Sequence, residues 1–157
     1  MKKNIFVVRH GHAENSATHD FDRVLTMTGI LAVNKTAEYI SKICLNQSIT
    51  IDLCICSAAH RTKQTAEIIC FKNNIQIAEF HNSLYSTVAS QWIDKMSESK
   101  YENILLVGHN PTLSQLVNNI CGQQIYMQPA NCAHITLELE QDGIIYPAQL
   151  NQFYKHE

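Results

Sequence analysis

The 157-residue chain is 45% hydrophobic and carries a formal charge of −2 at pH 7. This size suits one compact domain over residues 1–157, which on folding buries roughly 70% of the surface that the unfolded chain exposes. The charge balance offers no basic face for nucleic acid, and no apolar run approaches the about 20 residues of a membrane helix or forms a signal-peptide core. We therefore expect a cytoplasmic protein that binds neither nucleic acid nor membranes.

The first half of the chain predicts two strand-helix units. Residues 5–8 have the length and branching of a short buried strand, and a polar loop follows over 11–23. Apolar residues at helical spacing then predict a helix that starts near Thr28. A second strand is predicted over 51–56, followed by a helix that reaches residue 70.

The second half continues the alternation of strands and helices. A third strand is predicted near 75–80, and Ser86 is a candidate cap for the helix after it. The fourth strand is the apolar run 104–107. Pro111 suits the first turn of the next helix, and Gly122 suits its C-terminal cap.

The C-terminal segment has a different pattern. Residues 134–139 alternate between apolar and polar, Asp142-Gly143 is a tight hairpin signal, and 144–150 form the returning strand. Strands separated by helices predict a mainly parallel sheet with right-handed crossovers. The predicted fold class is therefore α/β, a three-layer sandwich with helices on both faces and an antiparallel edge near the C-terminus.

The three arginines of the chain all follow one of the first two strands. Arg9, Arg23 and Arg61 occupy these positions, whereas the nine lysines are scattered. An arginine can bind two oxygens of a phosphate at once through its planar, permanently charged guanidinium. One such arginine could simply pair with a carboxylate, but three at the same predicted edge of a sheet favour a phosphoryl pocket.

Two histidines stand where apolar strands end. His10 follows the first strand and His109 the fourth, and ligands gather beyond the carboxyl ends of parallel strands. The imidazoles would meet over one pocket if these strands are neighbours. Gly11 allows close approach of the backbone, which favours a catalytic His10 over an ordinary polar residue. His12 raises the alternative of a metal site, but a third ligand is missing, so we expect no metal and no cofactor.

Four sequence blocks contain the candidate residues. They are 8–14 (VRHGHAE), 23–29 (RVLTMTG), 57–66 (SAAHRTKQTA) and 107–111 (VGHNP). R-H-G alone is a weak motif, but four blocks in the right order make a specific signal. Together the blocks resemble the histidine phosphatase superfamily, and most closely its small SixA-type phosphohistidine phosphatases. The region 129–139 is also similar.

The resemblance implies a role for each of the five candidate residues. His10 would be the nucleophile that accepts the phosphoryl group, and Arg9, Arg61 and His109 would bind its oxygens. Arg23 matches the arginine before the Leu-Thr-x-x-Gly stretch and is carried over as a further phosphate ligand. Chemically, a neutral imidazole can attack phosphorus in line while the arginines and a protonated His109 stabilise the charge on the equatorial oxygens.

The leaving group distinguishes the substrates within this superfamily. Members that act on esters carry a carboxylic acid after the third strand, and Ser83 stands nearest that position here. An imidazole leaving group, with a reference pKa of about 6.5, needs less protonation than an alcohol. The sequence therefore favours hydrolysis of a P–N bond, with a phosphohistidine-bearing protein domain as partner and inorganic phosphate as product.

Two alternatives stay open at this point. A small-molecule phosphomonoesterase or mutase of the same fold would need Glu79 or His81 as its acid, although both also fit an exposed polar loop. A non-catalytic phosphate-binding module would keep the pocket for recognition alone.

Overall fold

The computed structural model describes residues 1–156, and a six-stranded sheet forms its centre. Glu157, which the single-domain prediction includes, lies outside the described residues. The order of the strands across the sheet is β3-β2-β4-β1-β5-β6. In chain order they are β1 (Lys2–Arg9), β2 (Leu53–Ser57), β3 (Ala78–His81), β4 (Asn103–Gly108), β5 (Cys132–Glu140) and β6 (Gly143–Tyr154).

The strand directions confirm the predicted fold class. β1 and β2 both run parallel to β4, and β3 runs parallel to β2. β5 pairs antiparallel with β1, and β6 pairs antiparallel with β5. The sheet is therefore mainly parallel with an antiparallel edge formed by the C-terminal hairpin.

Helices cover both faces of this sheet. α1 and α2 pack on one face and α3 and α4 on the other. Because successive side chains of a strand point to opposite faces, β1 contributes to both cores, with Ile5 and Val7 on one side and Phe6 and Val8 on the other. Among residues 1–156 the α-helices are α1 (Met27–Gln47), α2 (His60–Lys72), α3 (Ala89–Glu98) and α4 (Thr112–Cys121).

Some predicted boundaries of β3 and α3 are wrong. β3 begins at Ala78 rather than near residue 75, because in this region residues 78–81 are the ones that pair with β2. Ser86 does not cap α3, which begins at Ala89 with no side-chain cap. The carbonyl of Thr87 accepts a hydrogen bond from Thr112 Oγ1 at 3.0 Å, and Val88, the N-cap of α3, has an extended backbone.

Helix α4 and the hairpin lie close to their predicted positions. Pro111 occupies the N-cap of α4, one residue before the predicted first turn, and Gly122 is the left-handed C-cap at φ +67°. The hairpin turn consists of residues 141 and 142, because Glu140 pairs with Gly143. Gly143 has a φ of +113°, a conformation that favours glycine.

The register between β1 and β4 determines what meets at the carboxyl edge of the sheet. Arg9 stands opposite Gly108, so the residues that follow each strand emerge side by side. The backbone N–H of His10 donates to the Gly108 carbonyl at 3.0 Å and extends the ladder by one bond.

In the described part of the chain, no helix has the length and apolar character needed to cross a membrane.

Candidate active site

His10 and His109 lie next to each other at the ends of β1 and β4. Their ring centroids are 5.4 Å apart, with the ring planes inclined at 59°. The sequence predicted this meeting on the condition that the two strands are neighbours, and the structure confirms it.

His10 is held in one tautomer by its own loop. Its Nδ1 donates to the Gly11 carbonyl at 2.7 Å, since a carbonyl oxygen can only accept. Burial, with smaller contributions from His109 and Arg61, lowers the pKa of His10 to about 3. The ring is therefore neutral at pH 7, and its Nε2 keeps a lone pair.

Gly11 brings that loop close to α1. A Cβ at this position would lie 2.7 Å from Val33 Cγ2, so a side chain would force the loop away from the helix. The Gly11 N–H donates to Thr65 Oγ1 at 3.1 Å, and the Thr65 hydroxyl donates to the Arg61 carbonyl at 2.8 Å. Thr65 thus joins the His10 loop to the start of α2.

Arg61 enters the site from the first turn of α2. Its side chain is buried, and its Nε donates to Nε2 of His10 at 3.3 Å. Its two terminal nitrogens bond to Asp20, with Nη1 at 2.7 Å from the carbonyl oxygen and Nη2 at 3.0 Å from Oδ2. Arg61 therefore connects the candidate nucleophile to a carboxylate across the pocket.

Arg9 approaches from the end of β1. Its Nη1 donates to the Met127 carbonyl at 2.9 Å, and Asn110 Nδ2 donates to the same oxygen at 2.8 Å. Burial and the nearby Arg61 lower the pKa of Arg9, which still remains a cation at neutral pH. The shared carbonyl fixes this cation beside His10.

Arg23 is fixed to the backbone of the loop after β1. Its Nε donates to the Glu14 carbonyl at 2.7 Å and its Nη2 to the Ala13 carbonyl at 3.3 Å. Its Nη1 forms a 3.0 Å ion pair with Asp20 Oδ1. Arg23 therefore reaches the pocket, but several of its donors are already used.

All five candidate residues line one pocket of about 360 Å³. The sequence predicted this set, and the structure brings its members together. The roles of the individual residues stay predictions. The lining residues are Arg9, His10, His12, Ala13, Asn15, Arg23, Arg61, His109, Asn110 and Pro129.

His109 is neutral in the site without substrate. Its Nε2 lies 2.8 Å from Ser57 Oγ, at the end of β2. Burial and the neighbouring Arg61 lower the pKa of His109 to about 4, so the ring is neutral at pH 7. A protonated His109 during phosphoryl transfer stays a prediction, because a bound anion changes the electrostatics of the ring.

Asp20 and Tyr85 belong to the site although the sequence did not single them out as functional. Asp20 lies in a short 3-10 turn (Asp20–Asp22), and Tyr85 follows β3. The Tyr85 hydroxyl donates to Asp20 Oδ2, and the Tyr85 ring stands edge-on to His109 at a centroid distance of 5.6 Å. The one sequence feature that could have pointed to Asp20 is its position three residues before Arg23.

The candidate acids Glu79 and His81 stand apart from the pocket lining. His81 Nε2 and Glu79 Oε1 are 3.0 Å apart and pair with each other. Ser83, which the sequence resemblance places nearest the family's acid, is exposed. From this segment it is Tyr85 that reaches the site.

His12 lines the same pocket as His10, and these two histidines are the pair on which the alternative of a metal site is based. Its Nδ1 is hydrogen-bonded to Thr26 Oγ1 at 3.0 Å. Among residues 1–156 no group of three or more His, Cys, Asp or Glu side chains is arranged to hold a metal ion.

The comparisons with known proteins concern the family and the fold. A family model described as the histidine phosphatase superfamily, branch 1, matches residues 5–83. No curated protein matches the chain significantly.

Several solved structures share the fold at low sequence identity. A candidate phosphohistidine phosphatase SixA from Nakamurella multipartitia superposes with a TM-score of 0.81 at 18% identity, covering 99% of this chain and 96% of that one. The corresponding protein from Agrobacterium tumefaciens gives 0.81 at 20% identity, with 98% of both chains covered. A protein histidine phosphatase SixA in complex with tungstate gives 0.78 at 23% identity, covering 96% of this chain and 95% of that one.

Proposed function

Because this chain belongs to the histidine phosphatase superfamily, branch 1, we propose that it removes phosphate from a histidine of a phosphorelay or phosphotransfer protein. The reaction proceeds through a covalent phosphohistidine intermediate at His10. One observation carries the proposal: the unprotonated Nε2 of His10 lies in a pocket lined by Arg9, Arg23 and Arg61.

The proposed reaction has two displacements. Nε2 of His10 forms a bond to phosphorus as the P–N bond of the substrate breaks, and the substrate ring, which has taken a proton from water at its other nitrogen, leaves as neutral imidazole. Water then attacks the phosphorus of phospho-His10, the P–Nε2 bond breaks, and inorganic phosphate leaves. Arg61 must first turn its Nε–H away from Nε2, since this donor occupies the lone pair that attacks.

Charge balance supports the pocket as a phosphoryl site. Arg9 and Arg61 are cations beside the nucleophile, and charge on the equatorial oxygens is the main feature of the transition state. His109 is neutral in the empty site, but a bound dianion raises its pKa and makes it a further donor. The arginines supply the positive charge, so the proposed route uses no metal ion and no cofactor.

The choice of a P–N bond rests on the groups around the pocket. Hydrogen bonds from Tyr85 and the arginines hold the pKa of Asp20 well below its usual range, so Asp20 has no proton to donate at neutral pH. Glu79 and His81 are engaged with each other outside the lining. A leaving imidazole needs less protonation than an alcohol, so this set of groups suits phosphohistidine.

The partner in this proposal is a protein domain that carries phosphohistidine in the cytoplasm. The family resemblance implies that members which enclose small sugars or glycerates carry insertions over the site, and this chain has little spare length between its elements. A partner domain can present its phosphohistidine to a site that no large insertion covers.

The test compares three substrates of graded leaving-group acidity at equal enzyme concentration. They are a phosphorylated histidine domain, an aryl phosphate with an acidic phenol and an alkyl phosphate. We expect kcat/KM to be highest for the phosphohistidine domain and lowest for the alkyl ester, since the pocket offers no acid to protonate an alkoxide. Faster turnover of the alkyl ester would contradict the proposal and favour the phosphomonoesterase alternative.

A separate measurement addresses the non-catalytic alternative. Brief reaction with a labelled phosphohistidine domain, followed by quenching in base, should trap an acid-labile phosphate on His10. A binding module forms no such covalent species, so complete absence of label together with phosphate binding would favour that alternative.

A further inference from the structure

Asp20 makes an unusual number of contacts for a half-exposed residue. Its carboxylate is 51% exposed, yet it pairs with Arg61 at 3.0 Å and Arg23 at 3.0 Å and accepts the Tyr85 hydroxyl. Its backbone carbonyl also accepts from Arg61 Nη1 at 2.7 Å. One residue thus occupies donors from two of the three arginines that line the pocket.

These contacts use the part of Arg61 that a phosphoryl group needs. A guanidinium binds phosphate through two parallel N–H groups, and here both terminal nitrogens of Arg61 are bonded to Asp20 oxygens. The Nε–H points at Nε2 of His10. In the protein without substrate, each of the three nitrogens of Arg61 therefore already donates one hydrogen bond, and the lone pair of His10 is covered.

We propose that Asp20 is an internal anionic ligand of Arg61 that an incoming phosphoryl group must displace. The inference rests on the proposed function and names the residue that restrains its phosphate site in the empty protein. The free energy of displacement is the same for every substrate that presents the same phosphoryl group, so Asp20 lowers the affinity for phosphate without selecting among substrates.

An acid-base role for Asp20 is the main competing explanation, and its environment opposes that role. Three donors, from Tyr85, Arg23 and Arg61, stabilise the carboxylate as an anion. An anion so stabilised neither donates a proton to a leaving group nor accepts one readily from water. A positioning role, in which Asp20 holds Arg61 in its active geometry, predicts the opposite result in the following test.

The test measures binding of inorganic phosphate by calorimetry to the full-length protein and to two charge-matched variants. Asp20→Asn removes the carboxylate from Arg61 and Arg23. Asp22→Asn removes the same charge from the same turn, where Asp22 lies 3.9 Å from His60 and bonds to neither arginine. We expect Asp20→Asn to tighten phosphate binding about tenfold, because the substitution removes the charge-assisted hydrogen bonds between Asp20 and the two arginines but leaves those between the arginines and phosphate. Asp22→Asn should change phosphate binding less than about twofold.

Tyr85→Phe provides an independent route to the same result. It keeps the ring that contacts His109 and removes the hydroxyl that holds Asp20. Phosphate should then bind about threefold more tightly, because Asp20, which competes with phosphate for Arg61, loses one hydrogen bond. Weaker binding in Asp20→Asn, an equal gain in Asp22→Asn, or no measurable binding in any of the proteins would overturn the proposal.

Turnover gives a second readout. In Asp20→Asn the kcat/KM values for the phosphohistidine domain and for the aryl phosphate should both rise about tenfold, because neither phosphoryl group then has to displace the carboxylate. A fall in both values contradicts the competition and supports the positioning role. If the wild-type protein prefers esters, the proposed function fails, and the calorimetric comparison still decides whether Asp20 competes for Arg61.

Discussion

Arg61 Nε lies 3.3 Å from His10 Nε2 and donates its hydrogen to the lone pair of that nitrogen. The opposite ring nitrogen of His10 donates to Gly11, so the tautomer is determined from both sides. This arrangement leaves the ring neutral and directs its unprotonated nitrogen towards the guanidinium. Attack on phosphorus then requires only that Arg61 move, with no change in the protonation of His10.

Replacing His10 tests covalent catalysis directly. We expect His10→Ala to form no phosphoenzyme and to lose about 10⁴-fold or more in kcat, since no other lining group takes over the bond to phosphorus. The matched control is His12→Ala, whose imidazole lines the same pocket but is hydrogen-bonded to Thr26. That variant should still trap labelled phosphate after quenching in base. Label that persists in His10→Ala would place the nucleophile elsewhere.

The charge states of His10 and His109 can be followed by nitrogen NMR of their imidazole rings. Burial lowers their pKa values to about 3 and about 4, so both rings should be neutral at pH 6, where an unperturbed histidine is largely protonated. Saturating sulfate, a dianion that does not titrate near this pH, should protonate His109 and leave His10 neutral. A charged His109 without sulfate would contradict the electrostatics of the empty site.

The hydroxyl of Ser57 should contribute to activity through His109. Ser57 Oγ lies 2.8 Å from His109 Nε2 and is the only polar contact of that ring among the hydrogen bonds of residues 1–156. We expect Ser57→Ala to lower kcat/KM for the phosphohistidine domain about three- to tenfold, the usual effect of one hydrogen bond. Ser83→Ala, which changes an exposed serine after β3, should leave kcat/KM unchanged. Equal losses in both variants would argue against the specific contact.

Single replacements of Glu79 and His81 separate the two enzymatic alternatives. These side chains pair with each other at 3.0 Å, and neither lines the pocket. We therefore expect Glu79→Gln and His81→Asn to change kcat/KM less than twofold for both phosphohistidine and alkyl phosphate. A selective loss with the alkyl ester would identify the changed residue as a general acid and support the phosphomonoesterase alternative.

The positions of the candidate residues could be predicted because they follow from strand order. His10 and His109 each come directly after an apolar run, and the parallel pairing of β1 with β4 places them together. Asp20 could not be found in this way, since it lies in a polar loop without periodicity and is identified only by its contacts with Arg61. The segment before α3 makes a tertiary contact, the hydrogen bond between Thr87 and Thr112, which local sequence preferences do not contain.

The charge of His109 is a further case in which the pocket outweighs the residue type. A histidine beside a phosphate site suggests an imidazolium. In the empty pocket burial, together with Arg61 and Arg9, lowers the pKa of His109 to about 4, and we expect a bound anion to raise it. The sequence identifies the groups, whereas burial and the ligand determine their charge.

His134 predicts a pH dependence of stability that is separate from the active site. Its side chain is fully buried on β5, stacks on Phe6 at a centroid distance of 4.4 Å and donates from Nε2 to Asn4 Oδ1 at 3.2 Å. Its buried Nδ1 has no hydrogen-bond partner among residues 1–156. Burial lowers the pKa of His134 to about 4, so the folded protein favours the neutral ring.

The sign of the effect follows from the difference between the folded and unfolded pKa values. Between pH 6.5 and 4 the unfolded chain binds a proton at His134 and the folded protein does not, so stability is complete above pH 6.5 and falls as the pH approaches 4. One proton corresponds to a slope of about 1.4 kcal/mol per pH unit in the free energy of unfolding. His134→Phe keeps the stacking on Phe6 and should reduce the slope measured by urea unfolding by up to that amount. Thr136→Val is the control: it removes a neighbouring hydroxyl, 3.5 Å from Asn4 Oδ1, but no titratable group, and should leave the slope unchanged. An unchanged slope in His134→Phe would show that His134 does not remain neutral in the fold.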